Sequence, residues 1–261
     1  MNAKKMTLVC EDSFDGILTA VYDAFLYKGC SVKIIINSEY NYDLFSEYVN
    51  IVTDYEKSRK VLNTIREKIS DEAFFDIFRI AASNESDKCD LIFEYIIKGL
   101  RYGREVSLML TDNHIMRCQE VCRKVNNETL FYREILRFEE LPGKILFARI
   151  SPRSNVMYDI MEHFSDRFPE ENFFIYDDNR RICGVHNMRS EYYIINDVDI
   201  EELIKKHNER LSTSVTKESK DIYTDLWRAF FKSISIKERE NYKCQRNHLP
   251  LHYRKHITEF K

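Results

Sequence analysis

The sequence predicts an α+β protein whose strands come from its N-terminal and central parts. Three observations lead to this prediction. Short β-branched runs occur near the N-terminus, apolar residues then recur at 3.6-residue spacing through a proline-free stretch, and strand-like runs return after residue 144. We therefore expect a mixed or antiparallel sheet, a large helical insertion at about 55–140 and a helical C-terminal unit.

The first half of the sequence begins with strands and a helix and continues with a long helical stretch. The alternating elements are a strand at 6–10, an amphipathic helix at 14–28, a strand at 31–37 and a short third strand at 48–54. Breaks near Ser70, Asn84 and Gly103 divide the apolar periodicity that follows, from Glu56 to about Phe138. This pattern predicts several helices in the insertion.

Pro142 and Gly143 introduce a second group of short elements. These are a strand at 144–152, a helix at 155–168, a polar helix at 199–211 and, before that helix, an antiparallel meander of three short strands in the runs "NFFIYD", "RRICGVHN" and "EYYIIN". The run "STSVTKES" at 212–219 has the composition of a linker, and helices are predicted after it at 218–234, 235–243 and about 250–260. We expect a core over 1–211 and a basic helical unit over 212–261.

Composition places the chain among globular cytoplasmic proteins. Its 261 residues are 44% hydrophobic and carry a formal net charge of −3. No run approaches the roughly 20 apolar residues of a membrane span, and no signal-peptide core follows the N-terminus. The seven cysteines have no framework spacing, which indicates reduced thiols. We therefore expect no association with a membrane.

The C-terminal unit concentrates positive charge. Between residues 228 and 256 the basic side chains are Arg228, Lys232, Lys237, Arg239, Lys243, Arg246, Arg254 and Lys255, against the acidic Glu238 and Glu240. Aromatic residues lie between them. Basic side chains neutralise phosphates and aromatic rings stack on bases, so the pattern favours nucleic-acid binding. A solvated charged face is the alternative.

Motifs for known chemistries are absent. Glycine-rich phosphate loops, zinc-protease motifs and nucleophile elbows do not occur. Soft ligands with helical spacing occur in two sets: His114 with Cys118 and Cys122, and His248 with His252 and His256. Buried thiols explain the first set, and Pro250 interrupts the second. We predict no metal site and no cofactor.

Two turns carry clustered polar residues. The stretch "SFDG" at 13–16 follows the first strand, and "IYDDNRRICG" at 175–184 joins two strands. In the first turn, helix capping by Ser13 or Asp15 and a role in a site are both open. Asp15 and Asp177 are candidate catalytic acid/base groups. We expect the two turns to lie near each other, so that Asp15 orients Arg180 by a charge-assisted hydrogen bond.

Four stretches resemble a bacterial family described as "probable DNA metabolism protein", which is built on the domain of unknown function DUF4130. They are "SFDGILTAVYDAF", "RKVNNETLFYREILRFEEL", "EHFSDRFPEENFFIYDDNRRICG" and the closing "LWRAFFKSISIKERENYKCQRNHLPLHYRKHITEF". The resemblance runs from about residue 6 to 260. The residues that match the family's motifs are Phe14, Asp15, Gly16, Glu128, Arg137, Phe138, Arg167, Phe168, Asp177, Arg180, Trp227, Arg239, Asn241, Gln245, Pro250 and Tyr253. Of these, Phe14, Phe138, Phe168 and Trp227 are candidates for the core.

The resemblance implies DNA repair or modification beside a radical S-adenosylmethionine protein, and it implies no particular reaction. The leading hypothesis is a DNA-binding accessory subunit. Its nucleic-acid-binding residues would be Arg180, Arg181, Arg228, Arg239, Asn241, Gln245, Arg246 and Arg254. The alternatives are an enzyme that acts directly on a DNA base or nucleotide, and a docking module without nucleic-acid contact.

Overall fold

The computed structural model describes residues 4–27, 29–37, 46–202, 204–205, 226, 229–230, 233 and 241–257. The chain divides into two compact units, here called unit 1, Met1–Asn127, and unit 2, Glu128–Lys261. Each unit has its own sheet.

Unit 1 begins with a parallel sheet. Its first elements are β1 (Lys5–Cys10), α1 (Phe14–Ala24), β2 (Ser31–Ile36) and β3 (Ser46–Asn50). β1 is central and pairs in parallel with both β2 and β3. Parallel neighbours need a crossover connection, which α1 provides between β1 and β2. Leu8 of β1 and Ile34 of β2 are buried, as expected for strands covered by helices.

Helices complete the described part of unit 1. They are α2 (Tyr55–Lys68), α3 (Asp71–Ala82), α4 (Lys88–Tyr102), a 3-10 helix (Gly103–Leu108) and α5 (Asn113–Ile135). The side chain of Asp54 caps α2 and that of Ser70 caps α3, because each accepts a backbone N–H of the first turn. The apolar faces of the helices and the sheet share one core cluster that extends from Leu8 to Cys122. α5 continues across the division at Asn127 into unit 2.

Unit 2 contains a mixed sheet. Its described elements are β4 (Glu139–Leu141), β5 (Ile145–Ile150), α6 (Met157–Arg167), β6 (Asn172–Asp177), β7 (Ile182–His186), β8 (Tyr193–Ile195), α7 (Tyr242–His248) and a 3-10 helix (Leu251–His256). The strand order is β4-β5-β6-β7-β8, and only β5 and β6, joined by α6, are parallel. A side chain at Gly184 of β7 would overlap Met161, so glycine lets α6 pack closely on the sheet.

The α+β class is confirmed, with the strands divided between two sheets. The helical stretch predicted at 55–140 is occupied by α2 to α5. The third strand is shifted from 48–54 to Ser46–Asn50, because Asp54 already caps the next helix. The core prediction for Phe138 agrees with its edge-on contacts to Phe164 and Phe173. None of the helices that the structure describes is both long and apolar enough to cross a membrane.

Several predictions fall outside the described residues. They are most of the helix at 199–211, the linker at 212–219, nearly all of the helices at 218–234 and 235–243, and the residues Trp227, Arg228 and Arg239. The domain boundary expected near residue 212 therefore stays a prediction. α7 is an element that the sequence reasoning does not predict, and it begins where the side chain of Asn241 accepts the backbone N–H of Cys244 at 3.0 Å.

Candidate nucleic-acid interface

The carboxyl ends of β5 and β6 lie side by side in unit 2, because these strands are parallel and in register from Ile145 to Ile150. The loop 151–156 leaves β5, and the turn 177–181 leaves β6. Polar side chains at the carboxyl ends of neighbouring parallel strands can converge, and this is where open α/β sheets bind ligands. The candidate site is built here.

Asp177 organises the turn after β6. The residue is completely buried, and its Oδ1 accepts the backbone N–H groups of Asn179 at 2.8 Å and Arg180 at 3.3 Å. Its Oδ2 accepts from Nη1 of Arg180 at 3.1 Å. Burial raises the pKa of Asp177, and the contacts with Arg180 and Asn179 oppose that rise. These are the contacts of a turn-forming carboxylate, so the catalytic role considered for Asp177 gains no support.

Arg180 ties this turn to the neighbouring loop. Its guanidinium donates to the carbonyl oxygen of Pro152 at 3.1 Å and to that of Arg153. Asn179 adds a bond to the same Pro152 carbonyl at 2.8 Å. The donors of Arg180 are therefore engaged in holding the two strand-end segments together. The adjacent Arg181 is exposed and has a left-handed backbone, with φ of 57°.

Asp178 is the centre of a charged cluster that fastens the C-terminal segment, residues 241–257, to the strand ends. Its carboxylate lies 3.2 Å from Nε of Arg149, 3.0 Å from Nζ of Lys255 and 3.1 Å from Nε2 of His256. Burial by itself would raise the pKa of Asp178, but the hydrogen bond from Lys255 and the neighbouring positive charges lower it overall. Ionised Asp178 thus anchors residues from distant parts of unit 2.

Ser151 lies in the same cluster, with its Oγ 2.9 Å from Nε2 of His256. A serine nucleophile needs a histidine nitrogen free to take its proton. Here the same Nε2 also faces Asp178 at 3.1 Å, whereas a catalytic triad places the carboxylate on the opposite ring nitrogen. The arrangement is that of an ion-pair network and not of a nucleophile with its base.

Tyr253 anchors the C-terminal segment through aromatic contacts. Its ring stacks on Phe131 at a centroid distance of 4.3 Å and meets Tyr132 edge-on at 5.3 Å. On the same helix α5, buried Glu128 accepts the backbone N–H groups of Arg153 at 2.7 Å and Ser154 at 2.9 Å. Two residues singled out by the resemblance, Glu128 and Tyr253, therefore position the loop and the C-terminal segment.

The remaining predicted binding residues of the C-terminal segment divide into two groups. Asn241 caps α7, and Arg254 donates to the carbonyl oxygen of Leu249 at 2.9 Å and to Gln245 at 3.3 Å, so these side chains shape the segment. Lys243 and Arg246 are exposed, and neither has an ion pair with any described residue. They are one helical turn apart on α7.

Asp15 belongs to unit 1. Its Oδ1 accepts the hydroxyl of Ser58 at 2.6 Å, while Ser13 is the residue that caps α1, accepting from Gly16 at 3.0 Å. A Cβ on Gly16 would lie 2.7 Å from the carbonyl oxygen of Glu11, so the absence of a side chain at Gly16 allows the turn to pack closely. Arg180 has its contacts within unit 2, and the proposed pairing of Asp15 with Arg180 stays a prediction.

The cysteines with helical spacing on α5 are packed in the core. Cys118 and Cys122 are buried, and burial raises the pKa of the Cys118 thiol to about 12. Among the described residues, no group of three or more His, Cys, Asp or Glu side chains could hold a metal ion. The interpretation of these cysteines as core residues agrees with their burial.

The structure thus brings together Asp177, Arg180 and much of the C-terminal segment. Sequence reasoning missed Asp178, Arg149 and Ser151 as members of the cluster. A weak signal existed for Asp178, which follows Asp177 directly and cannot share its buried position, since consecutive residues of an extended chain point in opposite directions.

The fold and this site define an α+β protein in which a carboxylate-free basic segment is fastened over the ends of two parallel strands. The chain belongs to the family described as domain of unknown function DUF4130, whose profile matches residues 86–259. The matched region starts well after residue 6, so the "SFDG" turn lies outside it.

Other comparisons give only remote similarity. No curated protein matches the chain at a significant level. The DHH domain of a protein described as a member of a family of ribosomal proteins is 10% identical with a TM-score of 0.35, covering 80% of this chain and 79% of its own. A pGpG-specific phosphodiesterase from Vibrio cholerae is 7% identical with a TM-score of 0.35, covering 80% of this chain and 100% of its own. Similarity at this level defines no function.

Proposed function

We propose that this protein binds nucleic acid through the C-terminal segment of unit 2, as an accessory factor in DNA metabolism. The observation that supports it most is the charge of residues 241–257. This segment contains Lys243, Arg246, Arg254 and Lys255 and not one carboxylate. Such a stretch attracts phosphates by charge alone. Assistance to a radical S-adenosylmethionine enzyme follows from the family resemblance and is part of the same proposal.

The basic residues of the C-terminal segment differ in their contacts, and therefore in whether they can bind phosphates. Lys255 is neutralised by Asp178, and Arg254 is occupied by Leu249 and Gln245. Lys243 and Arg246 project from α7 and are the side chains that we expect to contact phosphates. Tyr242, which is 66% exposed, offers a ring at the start of the same helix on which an unpaired base can stack.

The test replaces the two exposed cations. We expect the double variant Lys243→Ala, Arg246→Ala to bind labelled DNA more weakly than the wild type. The slope of log affinity against log salt should also become shallower, by about 0.9 for each phosphate of duplex DNA that the variant no longer neutralises. Fluorescence anisotropy at several salt concentrations, with single- and double-stranded probes, measures both quantities.

A matched control separates this local interaction from the effect of total charge. The variant Arg59→Ala, Lys68→Ala removes two exposed cations from α2 in unit 1 and changes the net charge equally. We expect its affinity and salt slope to equal those of the wild type. If both double variants bind more weakly to the same extent, or neither does, the C-terminal segment is not the binding surface.

A further inference from the structure

The C-terminal segment of unit 2 carries two exposed aromatic rings beside its cations. Tyr242 is 66% exposed at the start of α7, and Arg246 follows one helical turn later on the same face. His252, in the 3-10 helix after α7, is also exposed. Rings in such positions can stack on bases while the neighbouring cations contact phosphates.

The ring of His252 is the outer member of a series of three rings. Its centroid lies 4.0 Å from that of Tyr253, whose ring stacks on Phe131 at 4.3 Å. Tyr253 and Phe131 are half-buried, so they support His252 from below. A base that stacks on His252 meets a ring whose position is already fixed, and little conformational entropy is lost when it binds.

His252 contributes a ring and not a charge at neutral pH. Partial burial and then the positive charge of Arg153 lower the pKa of the His252 imidazole below its ordinary value of 6.5. The imidazole is therefore mostly neutral at pH 7 and adds little to phosphate binding. Arg153 itself is exposed and adds a cation next to this ring.

The side-chain amides of the segment that could read base edges are occupied. Asn and Gln recognise adenine in the major groove through the oxygen and the nitrogen of one amide. Here Oδ1 of Asn241 accepts the backbone N–H of Cys244 at 3.0 Å, and Oε1 of Gln245 accepts from Arg254 at 3.3 Å. Neither amide can make the two-bond contact while it keeps its internal partner. The exposed cations and rings of the segment are therefore better suited to phosphates and base faces than to the edges of paired bases.

We infer that the C-terminal segment selects single-stranded over double-stranded nucleic acid, and that Tyr242 and His252 determine this selectivity. The inference rests on the proposed nucleic-acid binding and adds the kind of strand to it. Unpaired bases expose their faces to aromatic side chains, whereas the bases of a duplex are stacked on one another. Lys243 and Arg246 attract the phosphates of both forms, so the difference in affinity comes from the two rings.

The test compares one labelled DNA oligonucleotide as a single strand and as a duplex with its complement. We expect the full chain to bind the single strand more tightly in fluorescence anisotropy at the same salt concentration. The double variant Tyr242→Ala, His252→Ala should bind the single strand about tenfold or more weakly, because stacking on aromatic side chains contributes at least that much to affinity. Its affinity for the duplex should equal that of the wild type. The salt slope for the single strand should also stay unchanged, because neither substitution removes a positive charge at neutral pH.

Two control variants separate the rings from other effects. Tyr242→Phe, His252→Phe keeps a ring at both positions and should retain the preference for the single strand. Tyr55→Ala removes a ring that is 72% exposed on α2 in unit 1 and should bind as the wild type does.

The outcomes distinguish this inference from the proposed function. The strand selectivity is overturned, while nucleic-acid binding stands, if the wild type binds the single strand no more tightly than the duplex. The same holds if the alanine double variant loses affinity for both forms equally or for neither. If the wild type binds neither form, the proposed function and this inference are both wrong.

Discussion

Asp15 shows how the role of a single residue depends on its partner in space. The sequence places it in the first turn of a helix, where capping and a catalytic role are equally open. The structure assigns the cap to Ser13 and gives Asp15 a hydrogen bond from Ser58, a residue that is 1% exposed. This hydrogen bond joins the first turns of α1 and α2. No sequence pattern predicts it, because the two residues are 43 positions apart.

Substitutions at this pair have predictable costs. Asp15→Ala leaves the buried hydroxyl of Ser58 without its acceptor, and we expect a loss of about 1–3 kcal/mol in the free energy of unfolding. Asp15→Asn keeps an acceptor and should be close to wild type. Urea denaturation measures these differences. The double variant Asp15→Ala, Ser58→Ala should be less destabilised than the sum of the single variants, and simple additivity would show that the pair does not interact.

The turn between β6 and β7 contains two adjacent carboxylates whose pKa values move in opposite directions. Burial raises the pKa of Asp177. At Asp178 the effect of burial is outweighed by the bond from Lys255 and by the charges of Arg149 and His256, which lower its pKa. The pH dependence of stability should therefore differ in sign between the two positions.

Asparagine variants test this difference at the level of the turn. A raised folded-state pKa gives stability that is present at low pH and is lost as pH rises, so the advantage of the wild type over Asp177→Asn should shrink as pH rises above about 4, the ordinary pKa of an aspartate in an unfolded chain. A lowered pKa gives stability that is lost as pH falls, so the advantage over Asp178→Asn should shrink in the acid direction. Free energies of unfolding, measured for the wild type and both variants from acidic to neutral pH, test these two expectations. If the two variants showed parallel trends with pH, the opposite pKa shifts assigned to Asp177 and Asp178 would be contradicted.

Helices and strands were predictable where neighbouring residues in the sequence determine them. Helices α2 and α3 follow from apolar periodicity and from the caps at Asp54 and Ser70, and β2 follows from its β-branched run. The partners of strands that are far apart in the sequence were not predictable, because their pairing is decided by contacts between distant segments. The strands predicted at 31–37 and 144–152 belong to different sheets, and neither run indicates its partner.

The candidate site was predictable only in part, for the same reason. Charge density marked the C-terminal segment, and the turn residues Asp177 and Arg180 were recognised from their pattern. Their roles required coordinates, since the bond from Arg180 to the Pro152 carbonyl spans 28 positions and that from Lys255 to Asp178 spans 77. Of the arginines named as nucleic-acid ligands, Arg180 and Arg254 make internal contacts that only the fold reveals.

At the scale of the whole molecule, the family profile and the structural units have different boundaries. The profile begins at residue 86, whereas unit 1 extends from Met1 to Asn127. The matched region therefore includes α4 and all of α5 but excludes the parallel sheet and α1 to α3, with which these helices share one core cluster. The part of unit 1 that the family profile covers therefore lacks many of the residues that complete its hydrophobic core.

A fragment that contains only residues 86–261 should therefore fold poorly. In the full chain Leu91, Ile92, Tyr95 and Ile96 of α4 are at most 4% exposed and share a core with residues before position 86. Burying each such side chain contributes about 1.5–3 kcal/mol, so uncovering all four would cost at most about 6–12 kcal/mol. That loss is comparable with the total stability of about 5–15 kcal/mol of an ordinary protein. We expect the fragment to bind a hydrophobic dye and to unfold in urea with a shallower transition than the full chain. A fragment that unfolds as cooperatively as the full chain, and at the same urea concentration, would show that α4 and α5 do not depend on the N-terminal sheet.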